Sequence, residues 1–287
     1  MMQMNEISRA ELDKYKKKYD VNYSIGDLAA TISVINGVEI PSESGGTPIA
    51  SVVDQAQRLM DGVGRNQKTL ILCPDAVGEI HRQKYPEKLA RVENISGFRI
   101  LSSAVMPSVT PVCFCTIFSG ASPEVHGIHT WEQPVVKIPT IFDTFAAAGK
   151  KVAIVAGNTS SMERIFRMRE IDYISTRDDE TAFRFTRTLM AEYDYDLIVT
   201  YLAMHDSNAH HFGCDAPETV AELEKAVSSF EILNADAEKY WKNFNRTLVF
   251  APDHGNHRID EVSGGHGDDI PEDMLVNHFY RVRSAGK

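Results

Sequence analysis

Five short apolar runs recur along the chain, at 69–74 (TLILCP), 99–105 (RILSSAV), 151–156 (KVAIVA), 196–203 (DLIVTYLA) and 247–251 (TLVFA). Helical spacing fills the intervals, at about 111–119, 140–149, 179–193 and 216–243. Short runs that stay apolar instead of alternating suit strands covered on both faces. Strands separated by helices need crossover connections. The pattern therefore predicts an α/β fold with a mostly parallel central sheet and helices on both faces. HFYRVR, from 278, is expected to close the sheet. Ahead of the first strand, 48–62 has Ile49, Val52, Val53, Ala56 and Leu59 on one helical face. Residues 1–45, a charged helix around 8–19 and then a stretch rich in small residues, are expected to form an N-terminal helical extension. Residues 46–287 are expected to form a single α/β domain, a size that 287 residues allow.

A net charge of −10 argues against a nucleic-acid polymer as partner, because such proteins present a basic face. It leaves room for a small anion, since bound divalent cations reverse the local field. The polar start shows no apolar signal segment, and no run approaches the roughly 18 apolar residues of a membrane span. No membrane association is expected, and cytoplasm is the expected compartment. The four cysteines, 73, 113, 115 and 214, lack CxxC spacing and read as buried or half-buried free thiols.

Chemistry-bearing residues gather where the apolar runs end. Asp75 follows the run at 69–74, and Asp253 with His254 follows that at 247–251. Asp206 and His210 stand four apart in HDSNAHHFG, a spacing that places both on one helical face. His266 lies in a glycine-rich GGHG turn, and Thr110 precedes Pro111 at a helix start. Each has an ordinary explanation: a turn aspartate, a helix-capping threonine. Their clustering does not. Six of the ten histidines fall between 205 and 266, beside Asp206 and Asp253. Mixed nitrogen and oxygen ligation suits zinc, with manganese or iron as alternatives. His205 and His211 are expected to point away from the ion.

These motifs, in this order, resemble the alkaline phosphatase superfamily, and within it the type I phosphodiesterase/nucleotide pyrophosphatase branch. TPVCFCTIFSGASPEVHGI resembles that branch's nucleophile helix, with Ser119-Gly120 and Pro123 to Ile128 matching its closing pattern. DSNAH, PDHG and GGHG match the remaining metal motifs. The resemblance, covering about residues 69 to 275, implies two divalent ions about 4 Å apart. One would be held by Asp206, His210 and His266, the other by Asp75, Asp253 and His254. It also implies Thr110 as the nucleophile, attacking phosphorus in line to give a phospho-threonine that water then cleaves. His126, though within the pattern, reads as a turn residue.

One position departs. An asparagine that the branch places past the His-Gly-Ile turn corresponds here to Trp131; Asn158 and Gln133 are the nearby polar candidates for substrate contact. The sulfatase branch is disfavoured, because Thr110 is followed by Pro-Val where a modified residue followed by Pro and Arg is needed. The resemblance thus implies a two-metal hydrolase of a small phosphate ester, nucleotide diester or pyrophosphate, or phosphonate. A phosphomutase and a non-catalytic metal-binding scaffold are the alternatives. The first lacks room for a large cap domain, and the second has no use for Thr110. Arg164, Arg167 and Arg169 are candidate anion contacts or mere helix coating.

Overall fold

The structure, a computed structural model, describes residues 3–60 and 64–286. The expected helix end at 61–62 lies outside them, as do residues 1–2 and 287. The strands are β1 (Tyr23–Ser24), β2 (Lys68–Pro74), β3 (Phe98–Ser103), β4 (Val152–Gly157), β5 (Asp172–Thr176), β6 (Leu197–Leu202), β7 (Arg246–Phe250), β8 (His257–Arg258), β9 (Gly264–Gly265) and β10 (Leu275–Arg283). The first helices are α1 (Met4–Lys18), α2 (Asp27–Asn36), α3 (Ala50–Met60), α4 (Glu79–Lys84), α5 (Pro86–Ile95) and α6 (Thr110–Ser119). They are followed by α7 (Pro123–His126), α8 (Ile141–Ala147), α9 (Ser161–Ile165), α10 (Asp179–Glu192), α11 (Met204–Phe212), α12 (Pro217–Tyr240) and α13 (Pro271–Met274).

Eight strands form one sheet in the order β1-β3-β10-β7-β2-β6-β4-β5, and β8 pairs with β9. Only β10 runs against its neighbours, β3 and β7; the other pairings in the large sheet are parallel. The expected mostly parallel α/β sheet is therefore what forms. Its centre, β7-β2-β6, is buried along its length, which is why those segments read as unbroken apolar runs.

The period of two along β2 divides the core. Ile71 and Cys73 face one side, with Phe114, Phe118, Phe142 and Phe166. Leu70 and Leu72 face the other, with Leu189, Phe230, Leu233 and Phe250. Helix α6 lies wholly in the first layer, with every residue buried. Among the described residues, neither layer contains a cap domain. Residues 141–192 build α8, β4, α9, β5 and α10, all part of the main layers.

The N-terminal residues do not stand apart as the expected extension. β1 adds to the sheet edge, with Tyr23 opposite Ser102 and Ser24 opposite Ser103. Leu12, Ile25, Leu28 and Ile32 lie in the same apolar cluster as Phe114. The small residues of this stretch are there for contact. A β-carbon on Gly45 would come within 2.2 Å of the Arg9 backbone nitrogen. A loop signal in the sequence is here a close backbone crossing.

Candidate metal centre

Asp75 leaves β2 beside the end of β6, its N–H donating to Leu202 O at 2.9 Å. The next residue, Ala76, has φ 58°, a left-handed conformation unusual for a residue with a β-carbon. Its N–H donates to Asp253 Oδ1 at 3.2 Å, so the bend ties the ends of β2 and β7 together. Asp253 and His254 follow β7. Gly255 is required there for proximity, since a β-carbon would sit 1.9 Å from Glu272 O. The glycine here serves close packing, not a bend.

Asp206 and His210 share one face of α11, with Nε2 3.4 Å from Oδ1. His266, on the loop after β9, approaches the same oxygen, also at 3.4 Å. Two groups of three result. The ligand atoms of Asp206, His210 and His266 lie within 4.8 Å of one another, and so do those of Asp75, Asp253 and His254. The groups touch: the His254 and His266 rings stack with centroids 3.9 Å apart. Thr110 is the first residue of α6, with Val109 as N-cap, one residue later than a capping threonine would stand. Its hydroxyl lies 3.3 Å from His254 Nε2 and 3.4 Å from Asp75 Oδ2.

The donors in both groups suit divalent cations. Asp75 Oδ1, Asp206 Oδ1, Asp253 Oδ2 and His266 Nε2 are buried without a hydrogen-bond partner. Orphaned carboxylate oxygens in the interior cost several kcal/mol apiece, roughly, unless a cation meets them. The imidazoles are oriented to help. Nδ1 of His210 bonds Gly264 O at 3.1 Å, that of His254 bonds Gly255 O at 2.9 Å, and that of His266 bonds Ser108 O at 2.8 Å. A carbonyl only accepts, so each Nδ1 carries a proton and each Nε2 is the nitrogen turned toward its group.

The acid–base balance reflects crowded charge. Burial, then the charges of Asp253 and Asp206, push the Asp75 carboxyl well above the usual range. Burial pushes Asp253 up to about 7, against the pull of the Ala76 N–H. Burial acts on Asp206 too, but His210 and His266 outweigh it and hold that carboxyl low. His254 is pushed well down by burial and by His266, so its ring is neutral.

Other candidates fall into place around this centre. Trp131 is 51 % exposed, its ring 4.8 Å from that of His266 and 6.5 Å from that of His210, at the rim. Asn158 is not brought in. It follows β4 with its side chain exposed and its N–H bonded to Thr176 O on the edge strand. Gln133 spends its amide on Ser161. Arg169 holds Asp143 and the carbonyls of Val136 and Ile138, Arg167 pairs with Glu163, and Arg164 is exposed. His126 bridges Thr116 and the Ile128 N–H, as a turn residue does. His211 is exposed; His205 is buried, with Nδ1 3.1 Å from the Asp75 carbonyl. The residue missed by sequence is Tyr201, whose hydroxyl donates to Asp75 Oδ2. It stands one residue before the end of β6, beside the strand that delivers Asp75, a register that the sequence does not reveal.

No family model matches the chain, and no curated protein sequence matches it significantly. Solved structures do. A murine ectonucleotide pyrophosphatase/phosphodiesterase matches with TM-score 0.53 and 17% identity, over 68% of this chain and 59% of that one. A phosphonoacetate hydrolase from Sinorhizobium meliloti, bound to phosphonoacetate, matches with TM-score 0.51 and 18% identity, over 68% and 59%. A protein of the alkaline phosphatase superfamily from Vibrio parahaemolyticus matches with TM-score 0.51 and 11% identity, over 78% and 62%. The chain spans less than two thirds of the length of each of these. With its mostly parallel eight-stranded sheet and strand-end Asp/His centre, the chain has the alkaline phosphatase-like fold.

Proposed function

We propose that the protein is a metal-dependent phosphoric ester hydrolase that uses Thr110 as nucleophile on a small phosphate ester, nucleotide diester or pyrophosphate, or phosphonate. The carrying observation is one hydroxyl, at a helix N-terminus, set against two adjoining groups of donors, one fully buried and one partly open, that between them leave three carboxylate oxygens and one imidazole nitrogen buried without a hydrogen-bond partner. Asp206, His210 and His266 would hold one divalent ion, and Asp75, Asp253 and His254 the other, with zinc favoured by the nitrogen and oxygen donors. Such ions supply positive charge that lowers the hydroxyl pKa and offsets the charge of the transferred group.

The chain's own part is positioning. Thr110 opens α6, where backbone N–H groups of the first turn and the helix dipole favour an anion. Its Oγ, giving up its proton, would form the bond to phosphorus as the leaving group departs with the electrons of its own bond to phosphorus. Water would then cleave the Oγ–P bond, releasing phosphate from a monoester or phosphonate and a phosphate monoester from a diester. Burial of Thr110, Asp253 and His254 keeps bulk water from competing at the first step. Trp131 at the rim offers an apolar face to the leaving group. The murine structural relative supports the reading: a variant of it with threonine replaced by alanine is described as inactive and binds AMP. A phosphomutase is disfavoured by the absence of a cap domain among the described residues. No described helix is long and apolar enough to cross a membrane.

The test is metal analysis of the purified protein with a panel of monoester, diester and phosphonate substrates, beside Thr110→Ala. The expected result is about two ions per chain, turnover on at least one class, and loss of at least roughly 10³-fold in kcat on truncation, the scale of a missing nucleophile. Unchanged turnover in Thr110→Ala rules out the covalent mechanism. Two bound ions with no ester cleaved favours the scaffold.

A further inference from the structure

Asp75 does not present its two oxygens equally. Oδ2 receives the Tyr201 hydroxyl and lies 3.4 Å from Thr110 Oγ. Oδ1 is buried without a hydrogen-bond partner, 3.5 Å from His254 Nε2. Tyr201 comes from β6, opposite Cys73 in the parallel register, so the strand pairing that delivers Asp75 also delivers the phenol. Its ring is fixed edge-on against Phe114 of α6 at 5.4 Å, and the residue is 5 % exposed. Strand and helix thus aim one O–H at one oxygen, where no bulk water competes.

We propose that Tyr201 is a positioning residue: its hydroxyl occupies Oδ2 of Asp75 and leaves Oδ1 as the single oxygen offered to a divalent cation in the Asp75/Asp253/His254 group. The inference rests on reading that group as a cation site. A carboxylate beside a cation can bind through one oxygen or both, and the second mode would pull Oδ2 away from Thr110. A phenol donating to Oδ2 opposes that swing, because the donor would be left buried and unpaired. The same bond holds the carboxylate plane, as hydrogen-bond partners behind a metal ligand do elsewhere. Tyr201 therefore acts through Asp75 and has no need to touch substrate.

The test is Tyr201→Phe in the full chain, which keeps the ring and removes the O–H. Metal-free protein is titrated with zinc by calorimetry, in the wild-type background and in His210→Ala, where only the Asp75/Asp253/His254 group is complete. The expected result is a zinc affinity weakened about 10- to 100-fold at that group in both backgrounds, with the other group unchanged. Cobalt(II) supplies a readout that packing does not move. Freed Oδ2 raises the coordination number, so the visible bands of the cobalt form weaken in Tyr201→Phe. Phe230→Leu, in the core layer on the other face of the sheet, is the packing control and is expected to leave zinc affinity and the cobalt bands unchanged. Equal affinities and spectra for Tyr201→Phe and wild type overturn the inference, as does an equal loss in Phe230→Leu. Zinc titration needs no substrate, so those outcomes leave the phosphoesterase reading intact. A wild-type chain that binds no zinc overturns both.

Discussion

His254 and His266 stack with ring centroids 3.9 Å apart and planes inclined by 24°, although each belongs to a different group of donors. The two groups are therefore one continuous patch of three carboxylates and three imidazoles, buried at Asp75, Asp253 and His254 and open at His210. Without cations, its charge has to be managed by protons.

That sets a pH dependence for the metal-free protein. Asp253 is raised to about 7 from an ordinary 3.8, and Asp75 is raised in the same direction. A raised folded-state value means the folded chain holds a proton that the unfolded chain has already lost. Stability then falls as pH rises through the folded-state value. His254, lowered by burial, acts in the opposite direction, but only below the usual histidine value of 6.5. Asp206, held low, contributes a gain that is complete above the unfolded carboxyl value. His210, raised by its contact with Asp206, acts in the same direction as the carboxyls, so as pH rises from 6.5 through 7 these raised groups together set the trend. Chelated protein is expected to lose roughly 1 kcal/mol of stability per retained proton for each pH unit across that window. Added zinc should abolish the trend. Denaturant titrations at several pH values, with and without zinc, check both halves; a flat metal-free profile removes the argument.

Asp27 decides whether the N-terminal residues are separable. Its carboxylate accepts from Ser24 N at 2.9 Å and Thr47 N at 2.7 Å, with Lys16 Nζ 3.6 Å away. It is wholly buried, so Asp27→Ala leaves two N–H groups without their acceptor and Lys16 with only Asp13, 3.1 Å away. A loss of about 3–5 kcal/mol is expected, the scale of breaking a buried charge network. A chain lacking residues 1–45 should fail to fold. Thermal melting of Asp27→Ala, beside the solubility of the truncated chain, tests this. A truncated chain that melts like the full one would restore the separable extension.

The same region shows what the sequence left unread. β2, β6 and β7 were legible because strands buried on both faces stay apolar throughout. α6 was legible from Thr-Pro at its start and Gly120 at its end, the latter with φ 70°. β5 was not, because the edge strand DYIST is half-exposed and mixes polar with apolar residues. β1 is two residues long and gives no period at all. The six Asp and His residues could be gathered because they stand just past strand ends, in a glycine turn, or four apart on one helix. Tyr201 could not: inside LIVTYL it reads as one more apolar core residue, and only the register with β2 sets its hydroxyl against Asp75.

Trp131 stands at the rim, where truncation should separate binding from folding. It is 51 % exposed, and its described ring contacts are with His266 and His210. Trp131→Ala is therefore expected to shift stability by no more than about 0.5 kcal/mol, as exposed substitutions do. Zinc content should hold. KM for aryl or nucleotide esters should rise about 10-fold, the scale of a lost aromatic contact of roughly 1 kcal/mol, while small alkyl esters are unaffected. Equal KM changes for aryl and alkyl esters would remove the leaving-group role.

Asp179 is the remaining control point, because α11 cannot cap itself. The N-cap of α11 is Ala203, which has no side-chain acceptor, yet this helix carries Asp206 and His210. Asp179, from the first turn of α10, supplies the cap from outside. Its Oδ1 accepts from Ala203 N at 3.1 Å and its Oδ2 from Met204 N at 2.8 Å. Both N–H groups are satisfied, and a negative charge meets the positive end of the helix dipole. Asp179→Ala is expected to cost about 1–2 kcal/mol, as the loss of an N-cap does. It should also fray the turn on which Asp206 stands, weakening zinc at the Asp206/His210/His266 group while the Asp75/Asp253/His254 group keeps its affinity. Asp179→Asn retains one acceptor oxygen and should recover part of both losses. Zinc titration and thermal melting of the two variants resolve the point: equal weakening at both groups would mean that Asp179 supports the whole fold and not α11 in particular.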